Sequence, residues 1–188
     1  GTPTNGLLAV AIGVVASTVK TVSSASFNSV ALASGVALQV SPTIGVQYEN
    51  SIWYLSAPTA GTQTLSVTFS AIMTTADFMI IVPTWWNGAH QTQASVLGST
   101  QTANGATDPS LSITPASNDQ VIIDFYLSES NNILSAGGSP AAQTVLQTHD
   151  IGPRTGGASY VIQTTAGAQT MNWTGADDNW AQVAASFL

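Results

Sequence analysis

The chain has 188 residues, of which 44% are hydrophobic and 6% are charged, and its formal net charge at pH 7 is −7. This hydrophobic fraction is sufficient for a substantial core and excludes a disordered chain. Lys20 and Arg154 are the only basic residues. Two isolated cations cannot form the basic patch that binds phosphates, which argues against nucleic acid and anionic membrane surfaces as partners.

Hydroxyl side chains dominate the polar composition, with 24 threonines and 22 serines. Threonine suits strands because its branched Cβ packs on a pleated surface, so an all-β fold with a neutral polar exterior is predicted. The absence of cysteine excludes disulfides, thiolate catalysis and cysteine-zinc sites. No run reaches the roughly 18 apolar residues that span a bilayer, so we predict no membrane insertion. Few lysines and many neutral polar residues favour an extracellular, cell-surface or virion location over a cytosolic one.

The first predicted strand, LLAVAIGVV at residues 7–15, is apolar throughout, so both of its faces require burial. Residues 1–48 contain one charged side chain, Lys20, although exposed sheet edges are usually protected by charges, proline or bulges. The strand is therefore either the centre of the monomer core or an intersubunit strand that joins two copies by donor-strand complementation. We predict the second arrangement, with segment 1–15 as the intersubunit strand. Its contact residues would be Leu7, Leu8, Ala9, Val10, Ile12, Val14 and Val15.

Short strand-like runs separated by glycine and proline turns continue along the chain, without a convincing helical period over more than ten residues. This pattern predicts an all-β fold with a single antiparallel jelly-roll-like β-sandwich, forming one domain over residues 1–188. Segment 86–109 is the largest region predicted to be irregular. The further strands are predicted at residues 18–24, 27–32, 36–40, 45–56, 63–72, 76–83, 110–114, 119–128, 143–148, 158–165, 168–174 and 179–187.

One strand shows what kind of surface the sandwich presents. In TLSVTFS, residues 64–70, apolar and hydroxyl residues alternate with the period of a half-buried strand. The outer face carries hydroxyls and no charge, so it can be buried between subunits without the cost of desolvating ions.

Two adjacent tryptophans, Trp85 and Trp86, precede an Asn-Gly turn in PTWWNGAH. Neighbouring residues of a strand face opposite ways, so one indole is expected in the core and the other near the surface. An accessible indole could stack on a sugar or anchor a protein contact. The alternative is that both side chains cover the open end of the sandwich.

Residues suited to metal binding, catalysis or modification are few. Asp177 and Asp178 form the one carboxylate pair and are the candidate metal ligands, but polar turns of this kind are common without metal, and we predict no metal and no cofactor. The only histidines are His90 and His149, and no G-x-S-x-G motif is present, so we predict that the protein is not an enzyme. NWT makes Asn172 a possible glycosylation site.

Three segments carry a family resemblance: FNSVAL (27–32), IWYLSAPTAGTQTLSVTFS (52–70) and MNWTGADDNWAQVAASFL (171–188). They resemble jelly-roll-like β-sandwich modules of exported bacterial and archaeal proteins and of phage structural proteins. The resemblance covers most of the chain and implies a closing hairpin with Trp173 and Trp180. It implies adhesive, carbohydrate-contacting or assembly roles and no reaction. In that group a strand precedes the segment equivalent to GLLAV, so a sandwich that begins at Gly1 is expected to lack one edge strand.

Together these observations predict a non-enzymatic structural subunit of an extracellular pilus-like filament or a virion-surface assembly, with copies of itself as partners. One alternative is a carbohydrate-binding or adhesin module, with glycans as ligands. A second alternative is a capsid decoration protein.

Overall fold

A computed structural model describes residues 5–129, 132–150, 152–175 and 178–188, apart from the side chain of Pro42. Within these ranges nearly all regular structure is β. The strands are β1 (Leu7–Ala16), β2 (Val22–Phe27), β3 (Val30–Ala31), β4 (Ala33–Thr43), β5 (Val46–Ser56), β6 (Leu65–Phe69), β7 (Phe78–Trp86), β8 (Leu97–Gly105), β9 (Ser110–Ile113), β10 (Gln120–Ser128), β11 (Ser135–Ala136), β12 (Thr144–Asp150), β13 (Thr155–Gln163), β14 (Gln169–Thr174) and β15 (Trp180–Phe187), with a single helical turn α1 (Gln93–Val96).

The strands form antiparallel sheets in the orders β4-β5-β1-β7, β12-β13-β10-β15-β8, β11-β14-β9 and β3-β2-β6. The prediction of an all-β antiparallel fold is confirmed, and the sheets do not close into a barrel. Among the described residues, no helix is long and apolar enough to cross a membrane.

The two larger sheets pack face to face around the central core, to which β1, β5, β7, β10 and β15 all contribute buried side chains. Gly13 of β1 shows how closely the sheets approach, because a Cβ at this position would lie 2.4 Å from the Phe125 ring of β10. A side chain at residue 13 would therefore push the two sheets apart.

Each central sheet is covered on its outer face by a smaller sheet. The β3-β2-β6 sheet packs on the β1 sheet around Leu8, Val10 and Ile12. On the other side, β9 and β14 pack on β10, β13 and β15 around Ile122 and Ala184. The result is four stacked layers, so the outer faces of β10 and β15 are buried.

The predicted role of segment 1–15 as an intersubunit strand does not fit this arrangement. Residues 1–4 lie outside the described residues, and β1 is paired with β5 on one edge and β7 on the other. Burying a large aliphatic side chain contributes roughly 1.5–3 kcal/mol, so the strand contributes on the order of 10 kcal/mol, as much as the net stability of a typical domain. The monomer-core alternative is the arrangement observed. The proposed contact residues, all at most 3% exposed, are Leu7, Leu8, Ala9, Val10, Ile12, Val14 and Val15.

Two further expectations are corrected. Segment 86–109 is not irregular, since it contains α1 and β8, and β8 pairs with β15 along most of its length. Beyond Leu97, the sequence of β8 has hydroxyl, amide and small residues without apolar alternation, so its strand character depends on the partner. The last eighteen residues are not a hairpin, because β14 pairs with β9 and β11, whereas β15 pairs with β10 and β8. Trp173 and Trp180 therefore lie in different layers.

A Val10→Glu substitution tests the burial of β1. Val10 is fully buried, and a carboxylate there has no cationic partner, so the free energy of unfolding should fall by about 4 kcal/mol or more. Ile72→Glu is the matched control, because Ile72 is 88% exposed and surface substitutions change stability by about 0.5 kcal/mol at most. Denaturant unfolding followed by circular dichroism measures both. Equal stability of the two variants would contradict the placement of β1.

Candidate functional site

A buried carboxylate joins the central sheet to the fourth layer. Asp124 of β10 is fully buried, and its Oδ2 accepts hydrogen bonds from Trp173 Nε1 at 2.7 Å and Gln182 Nε2 at 2.8 Å. Its Oδ1 accepts from Ser159 Oγ and, at 3.4 Å, from Gln143 Nε2. These donors come from β14, β15, β13 and the segment before β12. The carboxylate therefore holds four separate segments in register.

Asp124 is buried without a cationic partner, so its ionised form is unfavourable. Desolvation raises the pKa of Asp124 to about 6, although its hydrogen bonds lower it. Desolvation likewise raises the pKa of Glu49 in β5 to about 7, against a hydrogen bond from the backbone of Val22. Perturbed carboxyls can mark active sites, but neither residue lines the two surface cavities described below. The four side-chain donors that surround Asp124 indicate a structural role for this carboxyl.

The one lysine is used structurally. Lys20 Nζ lies 2.5 Å from Asp77 Oδ2 and also donates to the carbonyl oxygen of Ile72 at 2.6 Å. The backbone N–H and hydroxyl of Thr74 donate to the same carboxylate oxygen. Burial raises the pKa of Asp77, but hydrogen bonds from Lys20 and Thr74 lower it by more in total. Arg154, which is half-buried, is therefore the one remaining cation of the chain.

The predicted metal candidates do not form a metal centre in the described residues. Asp177 lies outside them, and Asp178 Oδ1 accepts a hydrogen bond from the backbone N–H of Asn179. Asn179 Nδ2 donates to Glu129 Oε2 and to the hydroxyl of Thr43. These hydrogen bonds connect the turn before β15 to the end of β4 and to the residue that follows β10. Across the described ranges, no three His, Asp or Glu side chains are placed to hold a metal ion.

The predicted glycosylation residue, Asn172, is engaged in the fold. Its Oδ1 accepts a hydrogen bond from the backbone N–H of Gly138 at 2.5 Å. The side chain also packs against Gly137, where an added Cβ would lie 2.6 Å from Asn172 Nδ2. A glycan on this nitrogen would require the 137–143 segment to move.

The adjacent tryptophans of β7 face opposite sides, as predicted. Trp85 is 38% exposed and has its ring 6.1 Å from that of Phe27 in the outer layer. Trp86 is half-buried against the central core and meets Tyr160 edge-on, with ring centroids 4.8 Å apart. Its indole N–H donates to Thr84 Oγ1 at 3.0 Å. Trp86 is thus held in one orientation at the end of the sandwich.

The histidines lie apart from any catalytic arrangement within the described residues. His90 follows β7, and its Nδ1 accepts a hydrogen bond from the backbone N–H of Thr92 at 3.3 Å. His149 is exposed in β12. In this part of the chain neither imidazole is hydrogen-bonded to a serine or carboxylate side chain, so the geometry offers no triad.

One side of the sandwich is open. On the opposite side β4 packs along β8, whereas a cleft of about 390 Å³ lies between β7 and β12. In the described part of the chain, no strand pairs with the second edge of β7 or of β12. Two free strand edges therefore face one cleft. Its lining consists of residues 79–84 of β7 together with Leu146, Gln147 and His149 of β12.

A smaller cavity of about 160 Å³ lies at the end of the sandwich, beside the loop that follows β7. The PTWWNGAH motif in the sequence contains the residues of this lining from 86 to 89, but it does not indicate the others, which come from three distant segments. The cavity is lined by Trp86, Asn87, Gly88, Ala89, Asp119, Gln120, Val121, Ile162, Phe187 and Leu188.

The comparisons with known proteins identify no relative. No protein-family model matches the chain, and neither a curated protein nor a solved structure matches it. The resemblance to jelly-roll-like modules therefore stays a prediction, and functional inference depends on the geometry of this chain alone.

Asp124→Asn tests the cost of the buried carboxylate. Because the pKa is raised from 3.8 to about 6 by folding, the protonated carboxyl stabilises the protein below about pH 4, and this contribution is lost as the pH rises through about 6. The wild-type free energy of unfolding should thus be higher at about pH 5 than at about pH 8, with about 1 kcal/mol due to Asp124.

The asparagine variant should lose this part of the pH dependence in urea titrations at the two pH values. The matched control is Asp150→Asn, since Asp150 is an exposed carboxyl of β12, and it should keep the wild-type pH dependence. An unchanged dependence in Asp124→Asn would contradict the structural role.

Proposed function

We propose that the chain is a non-enzymatic structural subunit of an extracellular or virion-surface assembly, in which copies associate through the open side between β7 and β12. The observation that carries the proposal is the pair of free strand edges facing one cleft. Unpaired backbone N–H and C=O groups at a sheet edge are a template for another strand. Within the described residues, the protecting features are Pro83 in β7, a bulge between Val145 and Gln147 in β12, and the exposed carboxylate of Asp150 at the end of β12.

The chemistry of the cleft suits repeated association. No Asp, Glu, Lys or Arg side chain lines it, and His149 is the one titratable side chain in its lining. A partner strand would therefore meet backbone groups and apolar side chains without desolvating an ion pair. The hydroxyl-rich exterior, seen in the alternating exposure of β6, supports the same interpretation, because hydroxyl side chains can be buried between copies without desolvating an ion.

This proposal retains assembly by strand addition but changes the surface at which copies meet. Because β1 is a core strand, segment 7–15 is not the donor strand. The edges of β7 and β12 are instead the acceptor edges. The finer description of the fold as a single jelly-roll-like sandwich, and the choice between filament and capsid decoration, belong to the proposal. The adhesin alternative is supported by a different site, the end cavity, which is argued separately below.

Lysine substitutions in the cleft test the contact. Met79 and Gln147 both line the cleft and are exposed, so Met79→Lys and Gln147→Lys should fold normally. An ammonium group at either position would have to be desolvated on strand addition, and we expect self-association to weaken by about tenfold or more. Sedimentation velocity over the accessible concentration range measures the association.

The matched controls are Ile44→Lys and Ile72→Lys, which change exposed isoleucines elsewhere on the surface. They should associate as the wild type does. The proposal is contradicted if the wild-type protein stays monomeric over the whole concentration range. It is also contradicted if the cleft variants associate as tightly as the controls.

A further inference from the structure

The end cavity combines an apolar floor with a polar rim. Phe187 is buried at its base, and Val121 and Trp86 are half-buried. At the mouth, Ile162 and Leu188 are exposed. Small-molecule sites in proteins are usually concave and mostly apolar, with a few polar groups that fix orientation, and this cavity has that composition.

The aromatic wall is preorganised. Trp86 is fixed on one side by the edge-on contact with Tyr160 and at its indole nitrogen by Thr84. The ring can therefore receive a ligand without a further loss of side-chain entropy. Because the indole N–H of Trp86 already donates a hydrogen bond to Thr84, this wall offers a ligand an apolar aromatic surface and no free hydrogen-bond donor.

The rim carries two polar side chains without partners inside the protein. Across the described residues, neither Asn87 nor Asp119 forms an intramolecular side-chain hydrogen bond, and both are exposed. Asp119 has a φ of 56° and Gly88, next to Asn87, has a φ of 85°. Left-handed backbone at a non-glycine residue is uncommon and clusters at ligand sites. The fold thus places a free carboxylate and a free amide beside the indole.

The lining selects the ligand class. It contains no lysine or arginine and one carboxylate side chain, which disfavours phosphates and other anions. A carboxylate and an amide are suited to accepting and donating hydrogen bonds with hydroxyl groups. The volume, about 160 Å³, lies below the roughly 300–1,000 Å³ of larger ligand pockets, which favours one ring over an oligosaccharide.

We propose that the end cavity binds one neutral pyranose ring, with the apolar C–H face of the sugar on Trp86 and its hydroxyls on Asp119 and Asn87. The site is lined by residues that do not line the β7–β12 cleft, so the proposal does not depend on assembly. A terminal sugar of a surface glycan and a free monosaccharide present the same ring.

The experiment uses the whole chain and a panel of methyl pyranosides of glucose, galactose, mannose and N-acetylglucosamine. Saturation-transfer-difference NMR reports which ring protons contact the protein, and a tryptophan fluorescence titration gives the affinity. We expect at least one glycoside to bind saturably in the millimolar range. Trp86→Leu and Asp119→Gly should each weaken its binding by about tenfold or more.

Matched variants keep the test decisive. Trp85→Leu removes the neighbouring indole, which faces the other side of β7, and should leave the affinity unchanged. Asp119→Gly suits the left-handed backbone, so it tests the site even if Trp86→Leu fails to fold. The proposal is overturned if no glycoside binds saturably, if binding survives both cavity variants, or if tetramethylammonium displaces the sugar, which would indicate a cation site.

Discussion

Burial of β1 on both faces and both edges is the constraint on which the other layers depend. A strand that is apolar at every position needs a sheet above it and a sheet below it, and the described chain supplies both. On one side the β10 sheet closes over Gly13, and on the other side the β2 sheet covers Val10. Once β1 is central, β5 and β7 are its neighbours, and the outer edge of β7 becomes one border of the stack.

In the second half of the chain, β10 is likewise covered by a sheet on each face, but polar groups are buried on its outer face. The outer face of β10 buries Asp124 beneath the fourth layer. A buried carboxyl group is tolerated only when hydrogen-bond partners surround it, so Trp173 and Gln182 are fixed by their hydrogen bonds to Asp124 as well as by packing. The first half uses an ion pair, Lys20 with Asp77, for a similar purpose. Lys20, Asp77 and Asp124 are thus used in buried structural contacts, whereas Asp119 and Asp150 are exposed.

The sequence predicts the strands whose own pattern is strong and misses what depends on the partner. The apolar run of β1 and the alternation in β6 and β10 are visible from residue types alone. β8 was missed, because its hydroxyl and amide residues acquire strand character only by pairing with β15. The number of layers could not be predicted either. An apolar strand that contains Val10 can be buried by a second copy of the chain or by a further sheet of the same chain. The end cavity joins Trp86 to Asp119 and Ile162, which no local spacing links.

Hydrogen exchange measured by mass spectrometry, in dilute and in concentrated solution, tests the central claim that β1 is an internal strand and that copies meet at β7 and β12. The account predicts that amides of β1 are protected at every concentration, while the free edges of β7 and β12 gain protection only as copies associate. Rapid exchange of β1 in dilute solution, with protection acquired on association, would contradict it and would identify β1 as the exchanged strand.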